Sequence, residues 1–286
     1  MSLAKNTHLL IIDAQNDFCD LPEAWLPPDP VQGGLLRPAL PVPGAHGDMQ
    51  RLAHLIRAAG DAIAEITITL DSHHRIDIAH PAFWAGQVLP FTAITAAQVR
   101  AGEFSPRDPS GLPRTLAYLD ALEATGRYTL MVWPVHCEIG SWGQAVHADV
   151  RAAYNGWEER RLKLVHKVLK GSNPWTEHYS ALQAEVPSDG DEGTQLNRDL
   201  LARLDSAELL LIAGEASSHC VKATTEHLAR HLPGGRLDRL VLLTDCMSPV
   251  AGFEAQQQAF FAAMRERGLR LASSAEMLKE LSKERA

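Results

Sequence analysis

Hydrophobic positions along this chain fall into two alternating patterns. Short apolar-rich runs at 8–12, 64–70, 128–132, 162–168, 209–214, 237–243 and 269–272, the one at 209 unbroken, are the length of strands. Between them apolar residues recur every three or four positions. Met49, Leu52, Leu55 and Ile56 form one such stripe; Leu116, Leu119 and Leu122 form another, stopped near Gly126. Leu196, Leu200 and Leu204 precede the run at 209, and Val221, Leu228 and Leu232 follow it. Helices are also predicted over 144–154, 253–267 and 275–283. Strands alternating with helices predict an α/β fold with a doubly wound, mostly parallel sheet. Proline- and glycine-rich or irregular stretches near 20–47, 90–113 and 187–193 read as loop insertions in a single domain spanning 1–286.

In such a sheet the carboxyl ends of the strands face one crevice, so the residues found there are candidates for chemistry. Gly214 ends the run at 209, small polar residues turn the chain, and Cys220 stands where a helix begins. Free N–H groups and the helix dipole at that point predict a cysteine biased towards thiolate, with donors for an oxyanion close by. The plain alternative is a small buried residue. Asp13 closes the first run and Lys170 follows the one at 162–168. A carboxylate, an ammonium and a thiol make an acyl-transfer set, although singly Asp13 could cap a turn and Lys170 could head an exposed loop.

A second constellation follows the run at 64–70. Asp71 and His73, with His80 beyond a short loop, have the spacing of ligands for a first-row divalent ion. His74 and Asp77 compete with His80 for the third position. His136, in the turn Trp133-Pro134-Val135-His136-Cys137, is a candidate fourth ligand.

Composition narrows the partners. The 286 residues are 45% hydrophobic and 22% charged, with a formal net charge of -8, which argues against nucleic acid or an anionic membrane. No apolar run reaches membrane-spanning length, and Met1 to Lys5 lead into the first strand without a signal-peptide core. The 4 cysteines, Cys19, Cys137, Cys220 and Cys246, are scattered singly, so a reducing cytoplasm is the expected setting.

Several blocks together carry a resemblance. They are Asp13-Ala14-Gln15-Asn16-Asp17-Phe18, Val42-Pro43-Gly44, Asp71-Ser72-His73, the Trp133 to Cys137 turn with Gly140 and Gly143, Lys170-Gly171 with Tyr179-Ser180, and Gly214 to Val221. In this order they resemble the nicotinamidase branch of the isochorismatase-like cysteine hydrolase family. The resemblance implies a three-layer α/β/α fold and hydrolysis of nicotinamide, or a related aromatic or heterocyclic carboxamide, to the acid and ammonia, as in NAD salvage. It implies Asp13 as general base, Lys170 as its charge partner and Cys220 as nucleophile passing through a thioester. Asp71, His73, His80 and His136 would hold one divalent ion, zinc first, with iron or manganese as alternatives.

The resemblance also implies that Phe18 and Trp133 grip the substrate ring, that the Ala216 and Cys220 amides form the oxyanion hole, and that the Glu215–Ala216 peptide is cis. Self-association into a homo-oligomer is a further expectation. Two departures bear on the substrate pocket: Ser217-Ser218 stands where the family usually has Thr-Asp, and the His73-to-His80 spacing and the insertion after it are longer. The rival readings are a metal-free isochorismatase or N-carbamoyl amidohydrolase relative, and a non-catalytic metal-binding or redox-sensing protein.

Overall fold

A computed structural model describes residues 6–283, so the segment Met1 to Lys5 lies outside the described residues. In chain order the elements are β1 (Thr7–Ile12), α1 (Ala45–Ala59), β2 (Ile63–Asp71), β3 (Thr92–Ile94), α2 (Ala96–Arg100), α3 (Leu112–Ala124), β4 (Leu130–Val132) and α4 (Ala148–Arg161). They continue with β5 (His166–Lys170), α5 (Arg198–Asp205), β6 (Leu209–Gly214), α6 (Cys220–His231), β7 (Leu240–Leu243), α7 (Glu254–Glu266), β8 (Arg270–Ala272) and α8 (Ser274–Lys283).

Six strands form a wholly parallel sheet in the order β5-β2-β1-β6-β7-β8. β1 and β6 lie at its centre and every residue of both is buried; β6 is continuously apolar for that reason, and in β1 the buried His8 ring meets Thr67 Oγ1 at 2.9 Å ahead of the apolar stretch. From β1 the chain steps to β2 on one side, and from β6 it steps to β7 and β8 on the other. Right-handed crossovers in opposite directions put helices on opposite faces, the doubly wound arrangement. The reversal falls between β1 and β6, whose carboxyl ends carry Asp13 and the turn to Cys220. Gly214 makes that close pairing feasible: at φ 119° a Cβ there would stand 1.9 Å from the Ile12 carbonyl oxygen.

Two predicted elements are corrected. The run at 128–132 yields only β4, which lies outside the main sheet and pairs antiparallel with β3 from the expected loop at 90–113. Its position against β3 is compatible with three residues of strand before the Trp133-Pro134 turn. The strand placed at 162–168 is β5, starting at His166. Leu162 takes a left-handed conformation (φ 50°) that ends α4, and Leu162 and Leu164 are 90% and 88% exposed. α4 itself starts at Ala148 and reaches Arg161, because Trp157 anchors it by donating from Nε1 to the Gly60 carbonyl at 3.0 Å. Among the described residues no helix is long and apolar enough to cross a membrane.

Candidate active site

Asp13 leaves β1 at φ 45°, which turns its side chain back towards β2. Its N–H donates to the Thr69 carbonyl at 3.2 Å, and Thr69 Oγ1 donates to its Oδ1 at 2.6 Å. Lys170 ends β5 with its ammonium fully buried. Nζ lies 3.0 Å from Asp13 Oδ2, donates to Asp71 Oδ1 at 3.0 Å and to the His178 carbonyl at 2.9 Å, and stands 3.6 Å from Cys220 Sγ. Cys220 is the first residue of α6. Its Sγ and one oxygen each of Asp13 and Asp71 lie within 4.8 Å of one another. Three chain-distant groups thus meet around one amine.

Burial governs the charges here. It works against the Lys170 ammonium, but Asp13 and Asp71 outweigh it and hold the lysine well above its ordinary value. Asp71 is similarly penalised by burial and is nevertheless held well below the usual carboxylate range by His73 and Lys170. For Asp13 burial prevails over Lys170 and the pKa rises. Cys220 corrects the expectation of a thiolate-biased cysteine. Burial, followed by Asp13 and Asp71, pushes the thiol up and outweighs the lowering by Lys170. Burial here thus opposes the thiolate that a helix N-terminus would favour.

His73, His80 and His136 each bring one ring nitrogen to within 4.8 Å of the others. Asp71 borders them, with Oδ1 3.1 Å from His73 Nε2 and Oδ2 3.5 Å from His136 Nε2. The competing candidates have other places. Asp77 Oδ2 braces His73 Nδ1 at 3.2 Å, and the His74 ring is exposed while its carbonyl faces His80 Nδ1 at 3.2 Å. The Pro134 carbonyl accepts from His136 Nδ1 at 2.8 Å. Carboxylate or carbonyl partners that orient ligand imidazoles are the usual outer support of a metal site. His73 Nε2 is buried with Asp71 Oδ1 beside it, and burial lowers His80 to about 3, leaving it a neutral donor. Three imidazoles beside one carboxylate fit a divalent first-row ion.

Between these clusters lies a cleft enclosing about 350 Å³, lined by Phe18, Trp133, Asp71, His136, Ala216 and Cys220 together with Leu40, Glu177, Tyr179, His219 and Val250. The Glu215–Ala216 peptide is cis. The Ala216 and Cys220 amides have no acceptor among the described residues, whereas Ser217 N–H is taken by the Ser248 carbonyl at 2.9 Å. Ser218 fills the position where an acid was expected. Its hydroxyl accepts from Val250 N–H at 3.1 Å and lies 2.9 Å from His219 Nδ1.

Sequence reasoning overlooked Thr69, Glu177 and His219. Thr69 could have been found from Asp71, because residues two apart on a strand share a face. His219 had a signal in its adjacency to Cys220; its ring is 5.1 Å from Trp133 and 4.7 Å from Phe253. Glu177 lies in an irregular segment and offered none.

No family model matches the chain, and no curated protein is detectably similar to it in sequence. Solved structures are similar in shape. The yeast nicotinamidase aligns with a TM-score of 0.61 at 19% identity, over 93% of this chain and 99% of that one. The fold is isochorismatase-like. The pyrazinamidase of Pyrococcus horikoshii, solved in complex with zinc, shares it with a TM-score of 0.51 at 19% identity, covering 94% of this chain and 99% of its own. An isochorismatase-like hydrolase from Alkaliphilus metalliredigens does so with a TM-score of 0.51 at 12% identity, over 96% and 98%. Within this isochorismatase-like fold, the Asp13, Lys170 and Cys220 cluster occupies the switch point between β1 and β6.

Proposed function

We propose that this protein is a cysteine amidohydrolase that converts nicotinamide, or a related aromatic or heterocyclic carboxamide, to the carboxylic acid and ammonia. The observation that carries this reading is the buried Lys170 amine, 3.0 Å from Asp13 and 3.6 Å from the Sγ of Cys220, a residue that lines the cleft. Because burial opposes a standing thiolate, the attack calls for a base beside the sulfur. Asp13 takes the Cys220 proton as sulfur attacks the carboxamide carbon, and Lys170 steadies the negative charge that shifts between them.

The unpaired amides of Ala216 and Cys220 are suited to receive the oxyanion. The C–N bond breaks as Asp13 returns the proton to the departing ammonia, leaving a thioester on Cys220. Water then attacks that thioester with Asp13 again accepting a proton, and the acid leaves as Cys220 recovers its thiol. Phe18 and Trp133 supply apolar walls for the ring. A divalent ion held by Asp71, His73, His80 and His136 would supply a Lewis-acid contact that orients a ring nitrogen. Zinc suits three imidazoles and a carboxylate, and the Pyrococcus horikoshii pyrazinamidase was solved with it.

An ammonia-release screen over nicotinamide, pyrazinamide and other carboxamides, with and without chelator, tests this. Turnover is expected for heteroaromatic amides, lost with chelator and absent in Cys220→Ala, whose circular dichroism stays native. Turnover by Cys220→Ala would overturn the scheme. Thiol reactivity and metal uptake with no amide hydrolysed would favour a sensor instead.

A further inference from the structure

Glu215 is a charged residue type in a place built for an apolar one. It follows directly on the buried strand β6 and is itself fully buried. An unpaired acid there costs several kcal/mol, so its surroundings must return that cost. Its backbone N–H donates to the Ile12 carbonyl at 2.8 Å. Its Oε2 accepts from Ser248 N–H at 3.0 Å, while Oε1 meets no N–H or hydroxyl donor among the described residues.

The carboxyl of Asp48, from α1, converges with that of Glu215 on Ser248, whose Oγ donates to Asp48 Oδ2 at 2.6 Å while its N–H holds Glu215 Oε2. Two buried carboxyls brought together in this way favour a state in which one carries a proton. Asp48 has donors of its own: Arg51 in an ion pair, and Ser248 Oγ at 2.6 Å. Asp20 and the buried Cys19 are the other titratable groups close by. Arg51 serves Asp48, which leaves Glu215 without a cationic partner among the described residues.

Glu215 also supplies the carbonyl half of the peptide unit whose N–H belongs to Ala216, a residue lining the cleft. Ser248 ties that unit twice, through its N–H to Glu215 and through its carbonyl to Ser217. We propose that Glu215 and Asp48 share one proton, and that this neutral acid pair is the positioning device that aims the Ala216 amide at the oxyanion. Glu215 touches no substrate atom in this scheme; it acts through the amide, and that function rests on the amidohydrolase reading above.

Burial, reinforced by Asp48, raises Glu215 well above the usual carboxylate range. An acid whose pKa is higher in the folded state than in the unfolded one binds more protons when folded. Stability therefore falls as pH rises from about 4.5 towards the folded-state value. Glutamine mimics the protonated acid, with an N–H for Asp48 and an oxygen for Ser248.

Denaturant unfolding at saturating zinc, from pH 5 to pH 9, is compared for wild type, Glu215→Gln and Asp48→Asn, alongside kcat and KM on the best carboxamide, with Glu215→Leu added. Both amide variants are expected to flatten the alkaline loss of stability, with Glu215→Gln the more stable protein at pH 9. Glu215→Gln should keep kcat within about twofold, while Glu215→Leu loses about tenfold or more in kcat with KM little changed, a fraction of what removing an oxyanion donor costs. A Glu215→Gln or Asp48→Asn slope parallel to wild type overturns the shared proton. Wild-type kcat in Glu215→Leu overturns the positioning role; should that variant not fold, a tenfold loss of kcat in Glu215→Gln does so. A wild type inactive on every carboxamide defeats the amidohydrolase reading, while the unfolding arm still decides the acid pair.

Discussion

Lys170 faces two carboxylates and a thiol with a single positive charge, and all four groups are buried. Removing that charge leaves Asp13 and Asp71 uncompensated in a medium that cannot hydrate them. Loss of one partner from a buried ion pair costs about 3–5 kcal/mol. Lys170→Met, which keeps the length of the side chain, is therefore expected to lower the denaturant midpoint by an amount of that order and to abolish turnover. A midpoint within 1 kcal/mol of wild type, on the scale of about 0–1 kcal/mol for exposed pairs, would show that the amine is not the hub of the site. At this scale much of the chemistry was legible, because Asp13, Lys170 and Cys220 each stand at the end of an apolar run. Their charge states were not. The sequence places Cys220 at a helix N-terminus but cannot show how deeply the sulfur is buried, and burial decides its pKa.

Elements were legible where burial is two-sided. β6 is apolar throughout and β1 is apolar from Leu9 to Ile12, and their positions follow from that. Errors gathered at edges: β5 is an edge strand with Leu169 65% exposed, so its start is marked by no change in apolar pattern. The irregular segments that carry ligands are held by single polar contacts instead. Asp17 is such a contact. Its Oδ2 accepts from Cys137 N–H at 2.6 Å, next to His136, and its Oδ1 accepts from Ala39 N–H at 3.0 Å. Gly143 leaves room for it, since a Cβ there would sit 2.0 Å from Asp17 Oδ2. Gly143→Ala should displace Asp17 and loosen the turn that presents His136. Disturbing outer support of a metal ligand typically costs 10–100-fold in affinity. Competition with a chromogenic chelator is expected to report zinc binding weakened by at least about tenfold, and unchanged affinity would contradict this role for Asp17.

At the scale of the whole molecule the histidine cluster brings together segments outside the main sheet, linked otherwise only by short backbone pairing such as that of His73 with Cys137 and Ile139. His73 follows β2, His80 closes the loop after it, and His136 comes from the turn after β4, in a ribbon separate from the main sheet. A ligand that binds only the folded chain stabilises it by mass action, by about 2.7 kcal/mol at one hundred times its Kd. For a chain of this size that corresponds to about 5–10 °C in the unfolding midpoint. Zinc added to chelator-stripped protein should raise the midpoint by this amount, and His136→Ala should abolish the rise while keeping the parallel sheet, whose strands do not depend on that turn. The comparison separates a built site from surface binding: scattered surface histidines would give a shift that survives His136→Ala. Survival of the full shift in that variant would break the link between the β4 ribbon and the cleft.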